Sequence, residues 1–355
     1  MRGNEKQQEE MFACGGLGER VAADHPLRRI RAMTDAVLAE LKPELEAMYA
    51  GTGRPSIPPE QMLRALLLQM LYTVRSERML VEQMEYNLLF RWFVGLGWNG
   101  GVWDATSFSK NRERLLAGAI AAKFFRAVVE QARAARLLSD ERFTVDGTLI
   151  EAWASERSYV PRIGPRGRRG SGKDGAFQLR DTHVSETDPE AGMYRKSLKT
   201  GWRLQHMAHA VSENQHGLVV ATAVSGPSPR AERQQALTML RRLRQRAPIR
   251  SVGADKGYHE RDFVEGLRSM GATAHVPPYA KGRRCWIDPH LPDTAEFRTS
   301  QKRRKWIERF FSWLKTTAGM RKTRHRGHRK LEWNFTFAAA AYNLVRMSKL
   351  LPAAA

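Results

Sequence analysis

Three carboxylates stand where a carboxylate is costly to place. Asp146 interrupts the run Phe143 to Trp153, which alternates and is rich in β-branched residues, as a half-buried strand is. An acid inside an apolar strand raises the free energy of the fold unless it is paired or binds a cation. Asp255 follows directly on a second short run, Arg250 to Ala254, and acids at the carboxyl end of a strand in an open α/β sheet line the usual ligand crevice. Glu308 is the only acid between Gln301 and Lys330, a window that holds twelve Lys or Arg residues. Like charges ~4 Å apart repel strongly, so acids that converge need compensation. Hard divalent cations supply it: two ions ~3.5–4 Å apart, held by carboxylates and completed by phosphate oxygens, suit in-line phosphoryl transfer.

A helix must carry the third acid. From Arg304 to Lys315 the spacing puts Ile307, Phe310, Phe311 and Leu314 on one apolar arc, at i, i+3, i+4 and i+7. Arg304, Glu308 and Lys315 fall within about 40° of each other on a separate stripe. The charge around them is uneven: the chain carries a net charge of +22 over 355 residues, and half of it lies between Gln301 and Lys330. Clustering of that degree points to a polyanion, and nucleic acid is favoured over an anionic membrane because no basic amphipathic helix with an exposed apolar face stands out. The most apolar run, Met62 to Tyr72, is interrupted by Arg64 and Gln69 and is too short to span a bilayer. The polar stretch Met1 to Glu10 has no signal-like apolar segment, and a cytoplasmic protein without a membrane partner is expected. The two cysteines, Cys14 and Cys285, lack metal-ligand spacing, and the Gly/Arg-rich stretch Arg162 to Lys173 does not meet the P-loop pattern.

In chain order, residues 1–24 read as a flexible arm. Helical periodicity then covers His25 to Tyr49, a helix opening at Pro58-Pro59, Leu80 to Phe93, a short helix after Asp104 with Lys110, Arg112 and Arg114 exposed, and Ala117 to Ala135. The short basic helix after a tight turn is compatible with docking in a DNA groove, so residues 25–138 are expected to form an all-helical DNA-binding domain. From Phe143 the period changes to strand. Three strands read as a meander (Phe143 to Trp153, Arg203 to Val211, Gly217 to Val224), followed by helix Glu232 to Gln245, strand Arg250 to Ala254, helix Glu260 to Met270, strand Ala272 to Val276 and the helix of Glu308. A right-handed crossover returns the fourth strand beside the first, which lets Asp146 and Asp255 converge. The expected second domain is 139–350, with a basic insertion at about 155–200.

Several short motifs occur in a fixed order. His25-Pro-Leu-Arg-Arg-Ile-Arg-Ala-Met, Ser56-Ile-Pro-Pro-Glu, Tyr86-Asn-Leu-Leu-Phe-Arg-Trp-Phe, Val145-Asp-Gly-Thr-Leu-Ile-Glu-Ala-Trp, Ala254-Asp-Lys-Gly-Tyr, Arg321-Lys-Thr-Arg-His-Arg-Gly and Ala341-Tyr-Asn-Leu-Val-Arg-Met run from His25 almost to the end of the chain. In that order they closely resemble bacterial insertion-sequence transposases of the DDE class. The resemblance implies an α/β (α+β overall) fold, a ribonuclease-H-like mixed sheet with flanking helices preceded by the helical domain. It implies Asp146, Asp255 and Glu308 as the catalytic, metal-binding triad, holding Mg²⁺ or Mn²⁺ as cofactor, two ions per site, Asp262 and Glu296 being the other acids considered. Arg304 and Lys315 match the arginine and lysine of the family's Tyr-x2-Arg-x3-Glu-x6-Lys signature, implying contacts with transposon-end DNA; Gln301 fills the tyrosine position as an amide able to donate to a phosphate. Arg321, Lys322, Arg324 and Arg326 are expected to bind DNA beside them. Implied too are double-stranded DNA (transposon ends and target) as partner, cleavage and strand transfer as activity, and a homodimer on paired ends. A catalytically silent DNA-binding descendant and a metal-dependent nuclease on the same core are the alternatives, and the complete triad favours the transposase.

Overall fold

The computed structural model describes residues 15–50, 52, 55–139, 141–161, 183–195, 201–279 and 284–352. The first fourteen residues of the expected arm, Cys14 and the Gly/Arg-rich stretch lie outside them. Two compact units are formed: Met1–Arg136 with Trp313–Gly319 and Thr336–Ala355, and Leu137–Ser312 with Met320–Phe335.

The first unit is helical. It contains α1 (Pro26–Glu40), α2 (Lys42–Ala47), α3 (Pro59–Leu71), α4 (Glu77–Tyr86), α5 (Leu88–Val94), α6 (Thr106–Ala117) and α7 (Ile120–Ala134). Residues 15–24 are tied down rather than loose: the Arg28 guanidinium donates to the carbonyls of Gly18 (2.5 Å), Val21 (2.7 Å) and Ala22 (2.9 Å). Two helices expected as single elements are each split. Leu41 separates α1 from α2, and Asn87 separates α4 from α5, its Oδ1 accepting from the N–H of Leu89 (3.0 Å) and Phe90 (3.3 Å) as an N-cap. On α6 the cations are only partly available. Lys110 and Arg114 are exposed, but Arg112 pairs with Glu77 and Arg114 lies over the Tyr49 ring at 4.6 Å.

The second unit is built on a mixed sheet. Its strands are β1 (Arg142–Glu151), β2 (Tyr159–Pro161), β3 (His183–Ser185), β4 (Gly192–Tyr194), β5 (Arg203–Glu213), β6 (Val219–Ser225), β7 (Ser251–Gly253) and β8 (Thr273–His275). The sheet runs β4-β5-β1-β7-β8, with β6 also on β5; β1, β5 and β6 pair antiparallel, and β7 and β8 join in parallel. A three-stranded meander extended by two crossover strands beside its first strand is the ribonuclease-H-like arrangement expected from the sequence. The helices of this unit are α8 (Ala231–Arg244), α9 (Arg261–Ser269) and most of α10 (Ala295–Thr316), while α11 (His328–Leu350) begins here and belongs from Thr336 onward to the first unit; periodicity does not separate α11, whose apolar residues favour no one face. One core is built from Phe143, Val145, Leu240, Val252, Phe263 and Leu267, with α8 and α9 contributing residues at helical spacing and β1 its odd-numbered positions. The arc expected on α10, Ile307, Phe310, Phe311 and Leu314, is buried. β5 is buried along nearly its whole length, and Glu213 at its end accepts from the N–H of Gln215 (2.6 Å), His216 (2.7 Å) and Leu218 (3.0 Å), closing the turn to β6.

Candidate active site

The β1–β7 register decides where the first two acids go. Arg142 lies opposite Ser251, Phe143 opposite Val252 and Thr144 opposite Gly253. Two residues beyond the last of these pairs come Asp146, still on β1, and Asp255, just past the end of β7, near enough that the Asp255 charge acts on Asp146. Both share the parity of Thr144 and Gly253, and that face is covered by α10. A Cβ added to Gly253 would lie 2.8 Å from Ser300 Oγ and 3.3 Å from Thr144 Oγ1, so only glycine admits the helix so closely.

Each acid is held by backbone. Asp146 Oδ1 accepts from the Gly147 N–H (2.8 Å), and Asp255 Oδ1 accepts from the Gly257 N–H (2.8 Å), capping the turn Lys256–Tyr258. Burial pushes the Asp146 carboxyl up to about 7; the Gly147 N–H opposes this, Glu232 and Asp255 add to it by charge repulsion, and Arg304 opposes it. Asp146 therefore feels both Asp255 on the neighbouring strand and Arg304 on α10. Glu308 is half-exposed and pairs with Arg304 Nη1 at 2.9 Å, one turn away.

Two groups that sequence reasoning did not find share this neighbourhood. Glu232, in the first turn of α8, lies against Gly147: a Cβ there would sit 2.8 Å from Glu232 Cγ and 2.9 Å from Oε1. Tyr258 is 1% exposed, and its phenol is raised well above its ordinary range by burial and then by the charges of Glu232, Asp146 and Asp255. The only trace of Glu232 in the sequence is the glycine that follows Asp146. Of the alternatives, Asp262 pairs with Arg233 (3.5 Å) and Glu296 with Arg142 (3.4 Å).

The remaining expected residues are placed as follows. Gln301 donates its side-chain amide to the carbonyls of His275 (2.5 Å) and Ala254 (3.3 Å). Lys315 lies in the last turn of α10, half-buried. Arg321, Lys322, Arg324 and Arg326 are exposed. Their segment extends the end of β1, where the Glu151 N–H donates to the Arg321 carbonyl (3.1 Å) and the Thr323 N–H to the Glu151 carbonyl (2.8 Å), with Lys322 Nζ 5.7 Å from the centre of the exposed Trp153 ring.

The donor chemistry fits a hard divalent cation. Asp146 and Asp255 are oxygen donors crowded by like charge, and an acid that keeps its proton up to about 7 is one that a cation would relieve. Among the described residues, however, no three His, Cys, Asp or Glu side chains are grouped closely enough to hold a metal ion. The strand pair is assembled, while the glutamate of α10 is engaged by Arg304.

Comparison with known proteins completes the picture. Residues 16–114 match the family described as Transposase domain (DUF772), and residues 174–344 match the Transposase DDE domain. The second match includes Asp255 and Glu308 and begins after Asp146. A search of curated proteins returns no match. Among solved structures, the chain is similar to the piggyBac transposase synaptic complex with hairpin DNA at 10% identity, covering 94% of this chain and 77% of that one with a TM-score of 0.42. It is also similar to the Mos1 strand transfer complex at 11% identity, covering 85% and 79% with a TM-score of 0.23. With transposase domain families matching most of its length and a ribonuclease-H-like sheet beneath its paired aspartates, the chain belongs to the DDE transposases.

Proposed function

We propose that this transposase binds the terminal inverted repeats of an insertion sequence and catalyses metal-dependent DNA strand cleavage and strand transfer. The observation that supports the reading most is the state of Asp146, a buried acid on β1 whose carboxyl is pushed to about 7 by burial, with the charges of Glu232 and Asp255 adding to it. Asp146, Asp255 and Glu308 would hold two Mg²⁺ or Mn²⁺ ions, which when bound activate an attacking water or DNA 3′-hydroxyl and stabilise the leaving oxygen.

The chain's own groups do the rest. Asp146 must give up its proton to act as a ligand, and Arg304 favours that loss by its charge. For Glu308 to join the two aspartates its contact with Arg304 must loosen, which frees the Arg304 guanidinium for a phosphate at the moment the carboxylate turns inward. Lys315 on the same stripe, and the exposed Arg321, Lys322, Arg324 and Arg326, neutralise DNA phosphates, while the helical domain at 25–138 supplies further DNA contacts. Two copies of the chain act on the two ends.

The test uses a labelled duplex made from the DNA that flanks this reading frame. Incubation with Mg²⁺ or Mn²⁺ should give cleavage at the element boundary and joined products, and binding should weaken steeply with salt. Cleavage without joined products would identify a nuclease; no metal-dependent cleavage, or binding insensitive to salt, would remove the proposal.

A further inference from the structure

Where β7 and β8 end, a side chain continues the ladder between them. The Ala254 N–H donates to the His275 carbonyl (3.2 Å) as the last backbone bond of the pair. Immediately beyond it, Gln301 of α10 lays its amide nitrogen across both strands, donating to the same His275 carbonyl (2.5 Å) and to the Ala254 carbonyl (3.3 Å). A primary amide carries two coplanar N–H donors, which two adjacent carbonyls require, and a phenol carries one. The Ala254 carbonyl belongs to the peptide unit that leads into Asp255. Because that unit is planar, holding its oxygen fixes the orientation of the Asp255 N–H and with it the start of the turn that Asp255 caps.

Helical spacing gives α10 a hand in each acid. Gln301, Arg304 and Glu308 lie at i, i+3 and i+7, on one side of the helix. The first grips the peptide before Asp255, the second acts on Asp146, and the third is itself an acid.

We propose that Gln301 is a positioning residue for Asp255, setting the site's affinity for a divalent cation, and that it does not act as a phosphate contact. Both hydrogens of its amide are already committed to main-chain carbonyls, so neither is available to DNA. The inference rests on the reading above of Asp255 as a metal ligand. Groups that orient a metal ligand typically change metal affinity or activity by about 10–100-fold when removed.

The experiment uses the full-length chain as wild type, Gln301→Leu, Gln301→Lys and Asp255→Asn. Mn²⁺ affinity is read by electron paramagnetic resonance without DNA, binding to a mixed-sequence duplex by fluorescence anisotropy without metal, and kcat and KM on the flanking-repeat duplex. Gln301→Leu should weaken Mn²⁺ binding by about tenfold and lower kcat, with KM and duplex affinity within about twofold of wild type. Gln301→Lys keeps the reach and the donors and should recover most of the Mn²⁺ affinity; if Leu instead proves the better replacement, the residue only packs, and the inference is overturned. Loss of duplex affinity with unchanged Mn²⁺ binding in Gln301→Leu would likewise overturn it. Should Gln301→Leu fail to fold, the Gln301→Lys comparison with wild type still decides, since a tenfold loss of Mn²⁺ affinity there contradicts rescue by donors. If Asp255→Asn binds Mn²⁺ as wild type does, the reading of Asp255 as a ligand fails; if Asp255→Asn is weakened and Gln301→Leu is not, only the positioning role fails.

Discussion

The two sides of the candidate site treat the same kind of charge in opposite ways. On the sheet side, Asp146 lies on β1 and Asp255 just past the end of β7, each held by a backbone N–H, with burial and then the charges of Glu232 and Asp255 raising the Asp146 carboxyl to about 7. On the helix, Glu308 is half-exposed and its charge is answered within one turn by Arg304. Burial under like charge stores free energy that a cation releases, whereas exposure beside an arginine stores little. On the proposed reading the sheet side would be preorganised for a metal, and the helix side would exchange partners. Substitutions on the two sides should separate in stability even where they agree in rate.

The largest effect is the one they share. Asp146→Asn, Asp255→Asn and Glu308→Gln should each lower metal-dependent cleavage by at least about a thousandfold, a loss of about 4 kcal/mol of transition-state stabilisation, with affinity for the end duplex largely intact. Gel quantification of cleaved product over extended times measures this. Full activity in any variant removes that residue from the triad.

The sides part in the pH dependence of the metal-free protein. A carboxyl raised from 3.8 to about 7 binds its proton more tightly in the folded state, so its contribution to stability is complete below about pH 4, falls as pH rises, and is gone above about pH 7. In that window the slope should be no steeper than about 1.4 kcal/mol per pH unit. Asp146→Asn should flatten it and unfold at higher urea than wild type above pH 7. Urea melts on both sides of pH 7 in the presence of a chelator distinguish the two; equal slopes in wild type and Asp146→Asn would show that the strand acid is not strained.

A smaller effect tests how the helix is seated on the sheet unit. Gly217, in the turn between β5 and β6, has φ of +72°, and a Cβ there would fall 2.6 Å from Trp306 Cβ on α10. Gly217→Ala meets a left-handed conformation and a close contact together, and should cost about 1–3 kcal/mol. Thermal unfolding would register this, and a variant as stable as wild type would mean that the turn and α10 separate freely.

Much of this was legible in the sequence because it follows periods. The buried arc Ile307, Phe310, Phe311 and Leu314 follows from helical spacing, and the approach of Asp146 to Asp255 from strand alternation and the handedness of crossovers. What escaped depends on contacts without a period. Glu232 meets Gly147 across a large separation in sequence, and the role of Gln301 depends on where β7 and β8 stop, which no spacing encodes. Spacing reads Gln301, Arg304, Glu308 and Lys315 as one stripe; in the fold the Gln301 amide goes to main chain, Arg304 pairs with Glu308, and the Arg304 charge also acts on Asp146. The break at Asn87 escaped for a local reason, since its side chain restarts a helix whose apolar pattern never lapses.

The smallest stability effect should belong to the helix pair itself. Arg304 and Glu308 form an i, i+4 contact at 2.9 Å in which the carboxylate is half-exposed, and such pairs contribute about 0.3–0.5 kcal/mol. Arg304→Gln should hardly move the unfolding midpoint. Yet the same change removes the cation that favours ionised Asp146, so Mn²⁺ binding without DNA should shift toward higher pH. A structural salt bridge would show the reverse, a change in stability and none in the pH at which Mn²⁺ binds. The Arg304→Gln titration thus asks whether α10 only rests on the sheet or sets the charge state of its acids.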